Sequence, residues 1–375
     1  MRAIRIVVSA VLIFFSHTIL AQNTGNVGVS MMSVTSNDSL HLYLEIDLDA
    51  KTSRLYNYKF QFSTASESEE NLIAYLDSAY LGNNGNQHYF KFSFPKSVLK
   101  PKLKTRLIKL SDGLTFNFVH EINESHPFIL FDSKNLPVLR YWVNPGGYHT
   151  TNKNIHVFYY SHNFSVALPP MTTRNEAPSQ EMSIDSSFVF QEAIEMKRPG
   201  IYMMQSDTAS NKALTIRVEP YYYPRFTTVE ELTQPLIYIT DDEEQMTLAE
   251  VGDDKRKFDK FWLQLAGNPE RAKKIIRLFY DRVEYVNTNY TTFKEGWKTD
   301  MGMIYLIMGT PDSIEKIGNK EIWNYQEDRH LPKRKYQFIK TSTLFSPAHY
   351  VLIREKKHAE SWYEAINLLR NAIFK

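Results

Sequence analysis

The sequence contains no cysteine among its 375 residues. This excludes disulfide bonds, thiol nucleophiles, cysteine-based zinc sites and anchoring through a lipidated cysteine. The sequence also has no large surplus of charge, since 44 lysines and arginines face 42 aspartates and glutamates. Nucleic-acid-binding proteins need a basic surplus to displace counterions from phosphates. We therefore expect no nucleic-acid partner.

Long apolar runs are missing except at the N-terminus. Two arginines precede an apolar run over residues 6–15, and Ala21 offers a small residue before a cleavage point. This order is typical of a secretory signal, and the uncharged run is short for a bilayer span. We predict that residues 1–21 are a cleaved signal peptide, with an uncleaved anchor as the alternative. The mature chain, beginning at Gln22, should be exported to the periplasm and contain no transmembrane segment.

The familiar catalytic templates are missing as well. The sequence contains no H-E-x-x-H, no G-x-S-x-G and no Walker glycine–lysine loop. His149, His156 and His162 fall close together, but their spacing matches no known set of metal ligands. We therefore predict no catalytic residue, no metal and no cofactor, although an enzyme remains the alternative interpretation.

Alternation of apolar and polar residues dominates the first 220 residues. Such alternation predicts half-buried strands, and the aromatic residues in them suit a pleated surface. Short strands separated by turn residues favour two β-sandwich-like (Ig-like) domains, over residues 22–132 and 133–220. The predicted strands include 40–48, 56–62, 89–94, 155–160, 199–205 and 214–218.

After Pro224 the apolar period becomes helical. Thr240 and Glu243 are spaced as a capping box, an apolar stripe begins at Phe258, and Asn268 precedes a proline as the N-cap of a long third helix. Helices followed by antiparallel-looking strands favour an α+β domain. Beyond the third helix we predict strands at 303–308, 321–325, 336–339 and 350–354, a short helix from 310 to 318 and a closing helix at 360–374.

The most distinctive motif, Gly296-Trp-Lys-Thr-Asp300, lies in this last domain, over residues 221–375. Around it the sequence resembles the GWxTD-domain family of bacterial exported proteins. The resemblance is strong over roughly residues 225–330 and weaker from about residue 130. It implies export from the cytoplasm and no particular reaction. The matching stretches include 255–266, 268–271, 295–302, 309–312 and 321–325.

Two interpretations of this motif stay open. Trp297 can pack in a core beside a polar group, Thr299 and Asp300 can cap backbone amides, and Gly296 allows close backbone approach. Alternatively the same corner binds a ligand or partner, or Asp300 and Asp312 form a carboxylate pair for glycoside hydrolysis. The candidate binding residues are Gly296, Trp297, Thr299, Asp300, Pro311 and Asp312.

Without a catalytic template, the sequence favours a non-enzymatic interaction or scaffold protein of the cell envelope, with an envelope protein as partner. The alternative is an enzyme acting on envelope glycans or peptides, or a carbohydrate-binding protein, using the corner at Trp297 and Asp300. Four Asp-Ser/Thr-apolar tripeptides also fit a pattern for periplasmic O-glycosylation. The candidate sites are Ser39, Ser78 and Thr208, because the fourth tripeptide, at 312–314, lies at the start of a predicted helix.

Overall fold

The computed structural model describes residues 27–48, 58–65, 70–111, 113–122, 125–173 and 182–373. The predicted signal peptide lies outside these described residues. Within them, none of the helices combines the length and the apolar character needed to cross a membrane. The chain forms several sheets: it is mostly β up to residue 218, and its helices lie in the C-terminal part.

The first unit consists of two antiparallel sheets packed on one shared core. Its strands are β1 (Val27–Thr35), β2 (Ser39–Leu48), β3 (Tyr58–Ala65), β4 (Glu70–Ile73), β5 (Asp77–Asn84), β6 (Gln87–Pro95), β7 (Lys102–Lys109) and β8 (Thr115–Glu121). One sheet has the order β1-β2-β6-β5 and the other β4-β3-β7-β8. As the alternation predicts, every second residue from Leu40 to Leu48 points into the core, where it meets Phe62 and Leu103 of the other sheet.

The second unit is built around a five-stranded sheet. Its strands are β9 (Trp142–Val143), β10 (Gly146–His149), β11 (Ile155–Tyr160), β12 (Ser186–Phe190), β13 (Ala193–Met196), β14 (Gly200–Gln205) and β15 (Leu214–Val218). The sheet order is β12-β11-β14-β15-β9, and β10 pairs with β13 in a separate ribbon. Val157, Met204 and Ile216 lie in the core between sheet and ribbon.

The C-terminal unit packs helices against a four-stranded antiparallel sheet. Its elements are α1 (Val229–Thr233), α2 (Asp242–Ala249), α3 (Lys255–Ala266), α4 (Pro269–Tyr290), α5 (Asp300–Met308), β16 (Ser313–Ile317), β17 (Lys320–Tyr325), β18 (Arg334–Thr343), β19 (Ser346–Leu352) and α6 (Ala359–Arg370). The strands follow one another in sequence order across the sheet. Trp262, Phe279 and Trp323 lie in the core that the helices and the sheet share.

Helix ends follow the predicted signals closely. The side chain of Asn268 accepts a hydrogen bond from the Arg271 amide at the start of α4. The apolar stripe of α3 is buried from Phe258 onward. The capping box of α2, however, uses Asp241 and Glu244, one residue beyond the predicted pair, because the carboxylate of Asp241 reaches the amide of the third helical residue.

Two elements next to the motif differ from the sequence prediction. Residues 303–308 were predicted as a strand and form the second half of α5, which is buried all round and therefore shows no helical period. The short helix predicted from 310 to 318 is instead strand β16. There Gly318, at φ 60°, and Asn319 make a two-residue turn into β17.

Two buried histidines lie where the first unit meets the rest of the chain. The Nε2 atom of His120 is 2.6 Å from the Ser33 hydroxyl, and Nε2 of His126 is 3.2 Å from the Tyr141 hydroxyl. Burial lowers the pKa of His120 to about 3 and that of His126 to about 4. Both rings are therefore neutral in the folded protein at neutral pH.

Acid should therefore destabilise the protein through these rings. The unfolded chain protonates histidine below pH 6.5, whereas the folded chain resists until about pH 4, so the unfolded state binds more protons in that window. We expect each ring to reduce the free energy of unfolding by about 1.4 kcal/mol per pH unit as the pH falls. Denaturant melts at several pH values measure this slope. The variants His120→Gln and His126→Gln should each show a shallower one, and wild-type slopes in both would contradict the assignment.

Candidate functional site

The motif corner, residues 296–300, lies between the end of α4 and the start of α5. Its first residue must be glycine, because a Cβ atom on Gly296 would lie 1.8 Å from the carbonyl oxygen of Val286 in α4. The amide of Gly296 donates to the Thr291 hydroxyl at 2.9 Å. Gly302 faces the same restriction, since its Cβ would lie 1.9 Å from the carbonyl oxygen of Gly296. The chain thus crosses α4 in direct backbone contact.

Trp297 is a core residue that is only 2% exposed. Its amide donates to Oδ1 of Asn287 at 3.1 Å, and its carbonyl accepts from the Tyr238 hydroxyl at 3.2 Å. The indole and the Tyr238 ring meet edge to face, with centroids 6.2 Å apart. Because the indole is enclosed, it offers no face on which a sugar ring could stack.

Thr299 is the N-cap of α5. Its hydroxyl donates to the carbonyl of Gly296 at 2.7 Å and accepts from the amide of Gly302 at 2.9 Å. One side chain therefore closes the preceding turn and satisfies a backbone donor at the start of the helix. Capping of backbone amides by Thr299 is one of the two interpretations of the motif that the sequence leaves open.

Asp300, the first residue of α5, forms a nearly buried ion pair with Arg354. Its Oδ1 atom is 2.5 Å from Nη2 of the arginine, and its Oδ2 atom accepts from the Leu352 amide at 2.7 Å. Arg354 also donates to the carbonyl of Leu168 at 3.0 Å. The carboxylate therefore ties the start of α5 to the end of β19, and the arginine extends this tie to the segment after the second unit's β11.

The middle residue of the motif, Lys298, joins a buried network of charges. Its Nζ atom is 3.0 Å from Glu295, whose other oxygen is 3.3 Å from Arg217 in β15, and Arg217 in turn pairs with Glu219 at 2.6 Å. Burial alone would raise the pKa of Glu295, but Arg217 and Lys298 hold it below its usual value. The second unit is thus fixed to the motif corner by alternating charges.

Pro311 and Asp312 belong to a separate feature. Pro311 is buried, and the Oδ2 atom of Asp312 accepts from the Gln326 amide at 2.8 Å, while the Asp312 amide donates to the carbonyl of Asn324. Asp312 thereby fastens the start of β16 to the end of β17. Among the residues that the structure describes, no group of three or more His, Cys, Asp or Glu side chains could hold a metal.

The three histidines near residue 155 have separate surroundings. His149 lies 3.0 Å from the side chain of Asn135, and the ring of His162 packs against Phe164. His156 lies in β11, paired across the sheet with β12 and β14. The three candidate glycosylation residues also differ: Ser39 is half-buried, Ser78 is exposed within β5, and Thr208 is exposed in a turn.

Sequence reasoning missed the partners that give the motif its shape. Arg354 lies 54 residues from Asp300, and Arg217 lies in a different unit from Glu295. No local pattern marks either arginine. The one sequence feature that could have identified them is that each arginine lies within a strand or at its end. An arginine buried there needs a carboxylate partner.

A family model described as the GWxTD domain matches residues 200–371. The chain contains a GWxTD domain. The matched region begins in β14 and so includes β15, whose Arg217 contacts Glu295 beside the motif corner. The GWxTD domain therefore takes in two strands of the second unit's sheet as well as the helices and the last sheet.

Two further comparisons add little to this family assignment. No curated protein matches the sequence significantly. A solved structure titled "Anomalous substructure of Titin-A168169" has 10% sequence identity and a TM-score of 0.17. That match covers 52% of this chain and 97% of the other. At such a TM-score the likeness supports no argument about fold or function.

Proposed function

We propose that this GWxTD-domain protein is a non-enzymatic scaffold of the cell envelope, exported to the periplasm and starting at Gln22 after removal of residues 1–21. In this proposal the first two units are Ig-like sandwiches that carry binding surfaces, and the motif corner holds them to the C-terminal unit. The side chains of the motif corner contact other parts of the same chain, which supports a structural role for the corner. Trp297 is enclosed, and both oxygens of Asp300 accept hydrogen bonds within the chain.

The open edge of β12 is the observation that carries the proposal. This strand ends the five-stranded sheet, and its outer side pairs with no strand among the described residues. Phe188 and Val189 are 41% and 49% exposed there, and Ile184 just before the strand is half exposed. An exposed apolar edge strand presents unpaired backbone groups that another extended chain can join.

Three other edge strands in the described part of the chain carry features that oppose pairing. Strand β5 carries a register shift between Tyr80 and Gly82, and β16 carries Glu315 and Lys316. Strand β1 is covered by the segment that pairs with it at His126. By contrast, β12 has the sequence Ser-Ser-Phe-Val-Phe, with no charge and no proline. Proteins normally block free edges with such features, so an unblocked edge favours a partner strand.

Charges placed on this edge should abolish capture of the partner. Tagged wild-type protein is incubated with solubilised envelope extract and the bound proteins are identified, next to the variant Phe188→Lys/Val189→Lys. We expect one reproducible envelope protein with the wild type and at least a tenfold loss of it with the variant, because buried lysines would oppose an uncharged strand.

The control for this experiment is Leu263→Lys, which charges an exposed leucine on α3, away from any sheet edge. Both variants should melt at the wild-type temperature, since the replaced side chains are exposed. If the edge variant keeps the partner, or if wild type captures none reproducibly, the scaffold proposal is wrong.

A further inference from the structure

A cavity of about 90 Å³ lies between the first unit, the segment that follows it and the C-terminal unit, next to the motif corner. Ser30 of β1 lies in one wall, Tyr141 of the connecting segment in a second, and Thr288 of α4 and His349 of β19 are among the residues of the C-terminal unit that line the remainder. A single water needs roughly 10–15 Å³ measured in this way. This junction cavity therefore has room for several waters or for one small organic molecule.

The charged groups on the cavity wall already have partners inside the protein. Nη2 of Arg140 is 2.7 Å from Glu45, and Glu321 accepts from the Trp323 indole at 2.8 Å and faces Lys316 across the sheet. Burial and the nearby Lys294 lower the pKa of His349 to about 4, so its ring is neutral. A charged ligand would meet no free countercharge there, and burying an uncompensated charge is costly.

The remaining polar groups of the wall suit hydroxyl groups. The Thr288 hydroxyl donates its proton to the Glu284 carbonyl, so towards the cavity it can only accept. A neutral imidazole such as His349 both donates and accepts. Between these groups lie apolar side chains, among them Met31 and Met301, which can cover the C–H face of a ring. Such a mixture of apolar wall and few polar groups is typical of small-molecule sites.

We propose that the junction cavity binds one small uncharged molecule carrying several hydroxyl groups, of the size and class of a monosaccharide. The cavity lies beside the motif corner, whose Thr299 contributes to its wall, whereas the side chains of Trp297 and Asp300 are engaged within the chain. Because its walls come from the first unit, the connecting segment and the C-terminal unit, the bound molecule would hold the first and last units together. Ligand binding to the folded form alone raises the apparent stability of the fold.

Three sugars that share one ring test the proposal on the purified full-length mature protein. Glucose is uncharged, glucosamine carries an ammonium group and glucuronate a carboxylate. Saturation-transfer NMR and thermal melts should detect glucose binding and a raised melting temperature. The two charged sugars should bind at least about tenfold more weakly, equivalent to about 1.4 kcal/mol.

Variants from two different walls locate the site. Ser30→Leu narrows the cavity from the first unit and His349→Leu removes the neutral donor and acceptor, so each should reduce glucose binding at least fivefold. Their matched controls are Ser36→Leu and His330→Leu, which change exposed residues and should bind as wild type. Since two walls are tested separately, loss of fold in one variant leaves the other informative.

The inference fails if glucose does not bind wild type, if either charged sugar binds as tightly as glucose, or if a folded wall variant binds like its control. These results concern the purified protein and leave the β12 partner experiment untouched. Failure of one proposal is thus distinguishable from failure of the other.

Discussion

Replacement of Trp297 by alanine should lower the free energy of unfolding by about 3–5 kcal/mol, the range for removing a large buried aromatic side chain. The indole is 2% exposed and packs against Tyr238. The backbone of α4 cannot move inwards to fill the space left by the indole, because it is already in contact with the backbone of Gly296. The resulting cavity would therefore stay open. Urea denaturation followed by far-UV circular dichroism measures the change.

Tyr363→Ala is the control for the tryptophan variant, since that aromatic ring lies on the surface of α6 and is 64% exposed. Its loss should change the free energy of unfolding by less than about 0.5 kcal/mol. If Trp297→Ala unfolds at the same denaturant concentration as the wild type, the indole does not stabilise the core. The binding interpretation of the motif corner would then be favoured.

Asp300→Ala should lower the free energy of unfolding by a similar amount, about 3–5 kcal/mol, because it leaves Arg354 without its countercharge and the Leu352 amide without its acceptor in a nearly buried place. This exceeds the 0.5–2 kcal/mol expected of a helix cap alone. The difference between the two ranges separates an ion-pair role from a simple capping role. Thermal and urea melts of the purified variant provide the measurement.

Lys255 and Asp259 supply the control pair, at 2.7 Å on the exposed face of α3. Asp259→Ala should cost no more than about 0.5 kcal/mol, because water and salt screen such pairs. Adding Arg354→Met to Asp300→Ala should restore part of the lost stability by removing the stranded charge. Equal small losses at both aspartates would show that the Asp300 pair is as weak as a surface pair.

The strands and helices that bury one face could be predicted from the sequence. The alternation from Leu40 to Leu48 and the stripe beginning at Phe258 each fix a periodicity, and Asn268 with the following proline fixes a helix start. In these places the local conformational preference of the residues agrees with the burial of one face, so the sequence pattern is sufficient to predict the element.

The elements around the motif could not be predicted in this way. Helix α5 is buried on all sides, so its apolar run carries no period, and only the cap at Thr299 marks its start. For β16 the proline and aspartate before it suggest a helix start, while the pairing with β17 decides otherwise. The partners of Asp300 and Glu295 are set by tertiary contacts that local sequence does not encode.

The charge network from Lys298 to Glu219 limits which segments of the chain can be separated from one another during evolution. If a genetic rearrangement separated β15 from the residues after it, Glu295 and Lys298 would lose Arg217, and with it their link to Glu219. Strand β15 and Glu219 would therefore have to remain in the same chain as the motif after any such rearrangement. The first unit has a core between its own two sheets, but Met32 and Tyr89 also pack with Leu139 and Tyr141, so it could be exchanged only together with the segment that follows it.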